Sequence, residues 1–398
     1  MLFEKRPDSG ALFCAIMGSH KNNYEEVHMD SQRLLATFFD LVTIDSPSRF
    51  EADVAAYCKR VLTSLGAQVY FDQSAAQTGS NTGNCIAHFP GTVAGHIAFS
   101  AHMDCVDPCC GVKPVVEQGV IRSAGATVLG ADDKAGLAAL FEALQCVLAT
   151  DIPRPDITVV LTTCEELSLV GSSALSADLF SGEVPCFVLD ADGAPGTIIV
   201  GAPYHHTLNA RFAGKAAHAG VVPEQGISAL QMAAAAICAM HLGRIDEHTT
   251  ANIGVIEGGR EVNIIPERCC VAGECRSLYK QRALAQRDAM TAALRQAADD
   301  FGGTVEVSWH LDYPGILLDE TDPLVVKLIQ AAQAAGLTPH CAVSGGGSDA
   351  NVLGTKGAKA ITLGIGMTAF HSCDEYISIA DLEGSARFIE SIIKTMAK

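Results

Sequence analysis

Five short segments of the sequence carry acidic and imidazole side chains that could do chemistry. Four of them follow an apolar run typical of a buried β-strand, and the fifth begins a helix. They are His102 with Asp104, Glu165 with Glu166, Asp190 with Asp192, His371, and the helix-starting pair Asp132 and Asp133. In an open α/β sheet the ligand crevice lies outside the carboxyl ends of the strands. We therefore expect these distant segments to meet in one crevice.

So many carboxylates in one crevice require compensating positive charge. Unpaired acids would repel one another strongly, and no cluster of arginine or lysine follows the apolar runs. Two divalent cations would balance three carboxylate ligands and one bridging hydroxide. Two imidazoles and three carboxylates, one of them bridging, suit two zinc ions about 3.5–4 Å apart. This predicts a dinuclear hydrolase with two Zn²⁺, for which Mn²⁺ or Co²⁺ could substitute because nitrogen and oxygen ligands accept several such ions.

Each segment taken alone has a simpler explanation. Glu165 and Glu166 could form the acidic first turn of a helix, where the helix dipole favours negative charge. Asp132 and Asp133 could be ordinary helix N-caps. A single histidine after a strand is commonly a core or surface residue without a ligand. The ordered combination of all five segments is what favours a metal site.

The elements that must position these side chains alternate between helix and strand. Predicted helices cover residues 31–43, 52–65, 134–149 and 323–335, and predicted strands cover 85–89, 97–101, 158–163, 186–189 and 360–365. The strands are nearly continuous apolar runs, as expected where both faces of a sheet are covered. The pattern predicts an α/β fold, with a mixed, mostly parallel sheet sandwiched by helices.

The segment between residues 205 and 315 has a different order of elements. Strands at 206–212, 250–257, 269–276 and 304–310 and helices at 227–240 and 281–298 give βαββαβ, the ferredoxin-like arrangement. We therefore predict a catalytic zinc-binding domain formed by residues 29–204 and 316–398, with an inserted lid or dimerisation domain at 205–315. Residues 1–28 are predicted to be a poorly ordered leader. A signal peptide is disfavoured there because Glu4 and Asp8 cancel the basic start that it needs.

Composition excludes several classes of protein. Asp and Glu number 45 against 27 Lys and Arg, a net charge of −18 that opposes binding to nucleic acid or anionic membranes. The longest apolar segment, residues 229–240, is well short of the roughly 20 residues that span a bilayer. The 15 cysteines are odd in number and scattered, which is typical of buried thiols in a reducing compartment. We expect a cytoplasmic protein without nucleic-acid or membrane partners.

Four motifs resemble the zinc peptidase superfamily that contains peptidase T, carboxypeptidase G and the aminoacylases. They are SAHMD at 100–104, GADDKAG at 130–136, TCEE at 163–166 and VLDADG at 188–193. The segment LGADDKAG at 129–136 is most similar to the peptidase T branch, which contains tripeptide aminopeptidases. The resemblance extends from about residue 30 to the C-terminus.

The resemblance implies a ligand set and two catalytic acids. Asp104 would orient a metal-binding histidine, and Glu165 would be the general base. The implied metal ligands are His102, Asp132 as the bridge, Glu166, Asp190 and His371. Glu165 and Glu166 would divide their duties because neighbouring side chains in extended backbone point apart. Asp192 remains an alternative to Asp190, which is preferred because it directly follows the strand.

The resemblance also implies substrate contacts. The histidine of GKAAHAG at 214–220 would polarise the scissile carbonyl, and an arginine fork would suit a peptide carboxylate. The glycine-rich segment at 344–349 would let backbone approach a substrate amide. The implied contacts are His218, Asn263, Arg276, Gly346, Gly347 and Ser348. One departure is Cys105, which stands where the family commonly has threonine.

The implied activity is that of a di-zinc exopeptidase acting on short peptides. It would hydrolyse the N-terminal peptide bond with a metal-bound hydroxide, with Glu165 as the base. An N-acyl amino acid amidohydrolase or a carboxypeptidase with the same two-metal mechanism is the alternative. A metal-dependent binding protein without turnover is disfavoured because every expected catalytic position is filled. The expected partners are a short peptide and a second copy of the chain, bound through the lid.

Overall fold

The computed structural model describes residues 29–180 and 182–398. The predicted leader, residues 1–28, lies outside these ranges. The first part of the described chain forms these elements in order: α1 (Ser31–Val42), α2 (Ala52–Ser64), β1 (Gln68–Phe71), α3 (Ala75–Thr78), β2 (Cys85–Phe89), β3 (His96–His102), β4 (Pro114–Glu117), β5 (Val120–Ser123), α4 (Ala131–Leu148), β6 (Asp156–Thr162), α5 (Val170–Ala174), β7 (Val184–Ala191) and β8 (Thr197–Ala202).

The middle part of the chain builds a separate sheet, and the last part returns to the first. The middle elements are β9 (Tyr204–Ala213), a 3₁₀ turn (Pro223–Gln225), α6 (Ala229–Ala239), β10 (Gly243–Asp246), β11 (Thr249–Gly258), β12 (Arg268–Ser277), α7 (Lys280–Phe301) and β13 (Thr304–Tyr313). The last elements are β14 (Ile316–Leu317), α8 (Pro323–Ala334), β15 (His340–Val343), α9 (Asp349–Leu353), a 3₁₀ turn (Gly354–Lys356), β16 (Ala358–Gly364), β17 (Tyr376–Ser378) and α10 (Ile379–Met396).

The main sheet has nine strands and confirms the predicted mixed α/β class. Its order is β1-β2-β6-β3-β7-β16-β8-β14, with β15 also paired to β8. The central strands β6, β3, β7 and β16 run parallel to one another. Antiparallel pairs flank them, between β2 and β6 on one side and between β16 and β8 on the other. A separate small sheet has the order β17-β5-β4. The sequence pattern does not predict β8, whose antiparallel course ends the parallel run.

Side chains of the central strands alternate between two hydrophobic layers, as the pleat requires. On β3, Ile97, Phe99 and Ala101 belong to the larger layer, whereas Ala98 belongs to the smaller one. Helices α1, α2, α4, α8 and α10 cover the face of the larger layer, and α9 covers the opposite face. Burial on both faces explains why these strands are apolar throughout. No helix within the described ranges combines the length and apolarity needed to cross a bilayer.

The predicted βαββαβ order of the middle part is also confirmed. Its five-stranded sheet has the order β10-β11-β12-β9-β13, and all its pairs are antiparallel. Helices α6 and α7 pack on one face, where Met232 and Leu294 join Leu208 and Val271 in a second core. The short edge strand β10 adds to the predicted pattern. We call residues 204–313 the lid sheet.

Parallel strands bring the candidate histidine and acidic residues together. Because β3, β6, β7 and β16 point the same way, their carboxyl ends lie at one edge of the sheet. His102 is the last residue of β3 and Asp190 the last but one of β7. Glu165 comes three residues after β6 ends, and His371 comes seven residues after β16 ends. The fold therefore delivers all these segments to one edge.

A buried ion pair fixes the first helix to the central one. Glu142 on α4 accepts hydrogen bonds from the Nε and Nη2 atoms of Arg33, both at 2.7 Å, and from the Asp30 backbone N–H at 2.8 Å. The Glu142 side chain is only 2% exposed, against 32% for Arg33. Asp30 also caps α1 by accepting from the Gln32 N–H. This pair anchors the start of the described chain to α4.

We predict that Glu142→Ala lowers the free energy of unfolding by about 2 kcal/mol and leaves kcat unchanged. Breaking a fully buried pair costs roughly 3–5 kcal/mol, and water at the partly exposed Arg33 reduces that cost. Urea denaturation of the two proteins measures the difference. Glu390→Ala removes the exposed i,i+4 pair with Lys394 and serves as the matched control, with an expected loss of about 0.3–0.5 kcal/mol. Equal losses in both variants would contradict the anchoring role.

Candidate metal centre and active site

His102 is held from two sides at the end of β3. Its Nε2 atom lies 2.8 Å from Asp132 Oδ1, and its Nδ1 atom lies 3.0 Å from the Asp104 carbonyl oxygen and 3.4 Å from Asp104 Oδ1. The fully buried Asp104 carboxylate also accepts a hydrogen bond from Ser48 Oγ at 2.6 Å. Asp104 therefore orients the imidazole so that Nε2 faces the crevice.

The Asp132 carboxylate lies between the two imidazoles. Its Oδ1 faces His102, and its Oδ2 lies 3.2 Å from His371 Nε2. The same Nε2 atom of His371 lies 2.9 Å from Glu166 Oε2. Asp132 and Asp133 begin α4 with non-helical dihedral angles, and the peptide bond between them is cis. A carboxylate with one oxygen toward each histidine has the arrangement that a bridging ligand needs.

Asp190 comes closer to this cluster than Asp192. Asp190 Oδ1 lies 3.8 Å from His102 Nε2. Two groups have ligand atoms that all lie within 4.8 Å of one another: His102 with Asp132 and Glu166, and His102 with Asp133 and Asp190. Asp192 is exposed and belongs to neither group.

Glu165 and Glu166 lie in a turn, so the expectation of extended backbone at this point is wrong. Strand β6 ends at Thr162, and Cys164 has the left-handed φ of 53°. The turn folds both backbone N–H groups onto Asp104, at 3.0 Å for Glu165 and 3.3 Å for Glu166. Asp104 therefore fixes both the histidine at the end of β3 and the acidic turn after β6.

Burial and mutual repulsion set the protonation of the cluster. Burial raises the pKa of Glu165 well above its usual range, and Asp349 and Glu166 raise it further against the opposing effect of His102. Burial likewise raises the pKa of Asp190, with help from Glu165 and Asp132.

The two histidines lower the pKa of the carboxylate that lies between them. Burial opposes ionisation of Asp132, but hydrogen bonds from His102 and His371 outweigh it and lower the pKa of Asp132. Hydrogen bonds to Asp132 and Glu166 raise the pKa of His371 to about 10. If ionised together, the acids of the crevice would carry more negative charge than its two imidazoles can balance.

The donor atoms fit divalent cations. Nitrogen from imidazole and oxygen from carboxylate are the ligands of zinc and related ions. Two buried carboxylate oxygens of the cluster, Glu166 Oε1 and Asp133 Oδ1, have no hydrogen-bond partner within the described ranges. Buried carboxylate oxygens without a donor are costly unless a cation neutralises them.

A cavity of about 270 Å³ opens beside this cluster. One wall carries the acids and His371, and another is the glycine-rich segment at 344–348. Ile199, Ala202, Met367 and Phe370 supply apolar surface between them. The cavity can therefore hold a small molecule with both polar and apolar groups against the acidic cluster.

The predicted substrate contacts divide into two sets. Gly346, Gly347 and Ser348 line the cavity, and Arg276 Nη1 lies 3.5 Å from the carbonyl oxygen of Gly345, next to them. His218 and Asn263 are exposed and do not line it. They lie in paired lid segments instead, where the Ala219 N–H donates to the Asn263 carbonyl at 2.9 Å.

Several residues of the site are not predicted from the sequence. Ser48 binds Asp104, and the buried Glu375 accepts from the N–H groups of Gly130 and Asp132 at 2.7 and 3.0 Å. Asp349 is buried behind the glycine-rich segment. Asp133 and Asp349 lie within motifs that the sequence analysis names, at 130–136 and 344–349. Ser48 and Glu375 lie in no recognisable sequence motif, because they act through contacts with residues distant in the chain.

Comparison with known proteins identifies the family. Residues 98–395 match the family model described as Peptidase family M20/M25/M40. This chain belongs to that peptidase family.

The relatives confirm the predicted resemblance to the peptidase T branch. The chain is 40% identical to the aminopeptidase PepT from Bacillus cereus, whose crystal structure aligns with a TM-score of 0.87 over 93% of this chain and 100% of that chain. It is 36% identical to a tripeptidase from Staphylococcus aureus, with a TM-score of 0.88 over 93% of this chain and 99% of that chain. The uncharacterized protein YqjE of Bacillus subtilis is 42% identical over 93% of this chain and all of that protein.

We predict that Asp190→Asn and Asp192→Asn differ in metal content. An amide in place of Asp190 removes a charged donor from the cluster, so about one divalent ion per chain should be lost. Asp192→Asn should keep the wild-type content because Asp192 is exposed and forms no ion pair with His102 or His371 within the described ranges. Metal analysis after dialysis against a zinc buffer measures both variants. Loss of metal from Asp192→Asn alone would assign the ligand to Asp192 instead.

Proposed function

We propose that this chain is a two-metal aminopeptidase of the peptidase T type that releases the N-terminal residue of short peptides. The observation that carries the proposal is the Asp132 carboxylate between His102 and His371, at the edge of a cavity that also contains Glu165. The similarity to an aminopeptidase and to a tripeptidase supports the same activity.

Five side chains would hold the two metal ions. His102 and Asp190 would bind one ion, Glu166 and His371 the other, and Asp132 both. When bound, two divalent ions lower the pKa of a water molecule and polarise a peptide carbonyl. We propose zinc as the natural metal, with manganese or cobalt as substitutes, because the donors are nitrogen and oxygen.

Glu165 is the proposed general base. It lines the cavity, is 9% exposed, and burial raises its pKa, with the charges of Asp349 and Glu166 adding to the effect. A carboxylate with a raised pKa accepts a proton more readily than an ordinary one. Glu165 would accept the proton of the attacking water and deliver it to the nitrogen of the leaving peptide. Asp104 positions Glu165 by accepting a hydrogen bond from its backbone N–H.

The glycine-rich wall would receive the peptide backbone through its carbonyl oxygens. The N–H groups of Gly346, Gly347 and Ser348 already donate to Ser344 Oγ, the Tyr313 hydroxyl and Asn351 Oδ1. A side chain at Gly347 would collide with the ring of Tyr313. Glycine therefore lets this wall pack against Tyr313 and still border the cavity.

The lid sheet would complete the site by moving. His218 and Asn263 do not line the cavity, so their proposed contacts with substrate need the lid sheet to approach the metal centre. We propose residues 205–315 as the lid domain, inserted between the two parts of the catalytic domain.

Exposed Val255 and Ile256 on β11 support a homodimer through the lid. The 14 described cysteines are free, which supports a cytoplasmic location.

An aminopeptidase must distinguish a free amino terminus from a blocked one. We predict that kcat/KM for an unblocked tripeptide exceeds that for its N-acetylated form by at least 100-fold, because the acyl group removes the positive charge that the acidic cavity would attract. Product analysis should show release of the first residue. Faster cleavage of the acetylated peptide, or release of the last residue, would identify an amidohydrolase or a carboxypeptidase instead.

We predict that Glu165→Gln keeps its metal and loses turnover. The amide cannot accept the proton of the attacking water, so kcat should fall by at least 1,000-fold, within the range that general bases contribute. Metal content should stay at the wild-type value because Glu165 is not one of the five proposed ligands and forms no ion pair with His102 or His371 within the described ranges. Near-normal turnover would contradict the base assignment, and loss of metal would make Glu165 a ligand.

A further inference from the structure

A network of polar side chains lies where the lid sheet joins the main sheet. His205 on β9 stands directly opposite Arg276 on β12 and Tyr313 on β13 in the strand register. Cross-strand neighbours share one face of a sheet, and Glu274, two residues before Arg276, points to the same side. The main sheet's β8 ends at Ala202, shortly before this network, and its β14 begins at Ile316, shortly after it.

Glu274 occupies one edge of the Arg276 guanidinium. Its Oε2 lies 3.2 Å from Arg276 Nε and 2.9 Å from Nη2. The same oxygen lies 2.7 Å from His205 Nε2. The hydrogen bond with His205 is the main cause that lowers the pKa of Glu274 to about 2, and the neighbouring Arg276 lowers it further. Glu274 is therefore ionised at neutral pH and holds this edge with a full negative charge.

The other edge of the guanidinium faces the glycine-rich wall. Nη1 lies 3.4 Å from the Tyr313 hydroxyl and 3.5 Å from the Gly345 carbonyl oxygen. Both distances are at the long end for hydrogen bonds, so these contacts are weak and readily replaced. A guanidinium has five N–H donors, and the two used by Glu274 leave two on Nη1 and one on Nη2. A carboxylate can bind two of them side by side.

We propose that Glu274 is a positioning residue, which fixes the Nε edge of Arg276 so that its Nη1 edge receives the C-terminal carboxylate of a short peptide. This inference rests on the proposed peptidase function. His205 supports Glu274 from the neighbouring strand. The substrate carboxylate would replace the weak contacts with Tyr313 and Gly345, beside a cavity whose other end carries the acidic cluster. Peptides with a free C-terminus close to the scissile bond would thus be preferred.

A purely structural role for Glu274 has a different consequence. Glu274 would then serve only to neutralise a half-buried arginine, and its loss would weaken the protein for every substrate alike. A competing role is also distinguishable. If Glu274 withheld Arg276 from substrate, its replacement would improve binding of the free carboxylate.

Kinetics with a tripeptide and its C-terminal amide test the proposal. In wild type the free acid should be preferred, and Arg276→Ala should abolish that preference. Glu274→Gln should raise KM for the free acid about tenfold, as expected for a weakened charge-assisted contact, with kcat within twofold. KM for the amide should change less than twofold. His205→Gln should also raise KM for the free acid relative to KM for the amide. This variant provides the same test if Glu274→Gln does not fold.

Asp246→Asn is the matched control. It removes the exposed lid ion pair between Asp246 and Arg282, on the edge strand β10, by the same acid-to-amide change. The ratio between acid and amide should stay at the wild-type value. Equilibrium binding of both peptides to Glu165→Gln, with and without Glu274→Gln, repeats the comparison without turnover.

The failures are separable. Equal effects of Glu274→Gln on acid and amide, or a lower KM for the acid, would overturn the positioning role while Arg276 keeps its own. If wild type does not prefer the free acid to the amide, and Arg276→Ala leaves the ratio of their KM values unchanged, Arg276 does not recognise the carboxylate. The positioning role of Glu274 would then fail as well. If no unblocked peptide is hydrolysed or bound, the proposed function fails first.

Discussion

Repulsion among buried carboxylates at one edge of the main sheet is the constraint on which the rest of the structure depends. Asp132, Glu165, Glu166 and Asp190 meet there, and within residues 29–180 and 182–398 the two imidazoles of His102 and His371 lie beside them. Parallel strands make this convergence unavoidable, since their carboxyl ends share an edge. Asp104 holds both His102 and the turn after β6. The two donors from that turn are the backbone N–H groups of Glu165 and Glu166, which a change of side chain does not remove. If all these acids are ionised they repel one another strongly, so the arrangement favours protons or divalent cations among them.

The connection between the two sheets is polar as well. His205, Glu274 and Arg276 form a chain of charged contacts at the base of the lid sheet, and Tyr313 carries it to the glycine-rich wall of the cavity. Arg276 therefore keeps its ion pair with Glu274 while its Nη1 atom lies next to the glycine-rich wall. The acidic cluster at the cavity belongs to the main sheet, whereas this arginine belongs to the lid sheet.

Much of this arrangement can be predicted from sequence, because strand ends can be located by apolar runs. That reasoning identifies His102 and His371, and the start of a predicted helix adds Asp132, which the structure brings within contact distance of both. It fails where local backbone departs from the strand, as at Cys164, whose left-handed φ turns Glu165 and Glu166 out of extended geometry. It also misses Ser48, Glu375 and Glu274. Their partners lie on other segments of the chain, and only the three-dimensional register of strands and loops pairs them.

Anomalous diffraction at the zinc edge, from crystals of active protein, tests the central claim most directly. Two peaks should appear on opposite sides of the Asp132 carboxylate, one next to His102 and the other next to His371. A single peak in fully active crystals, or two peaks remote from Asp132, would contradict the assignment of this cluster as a dinuclear metal centre.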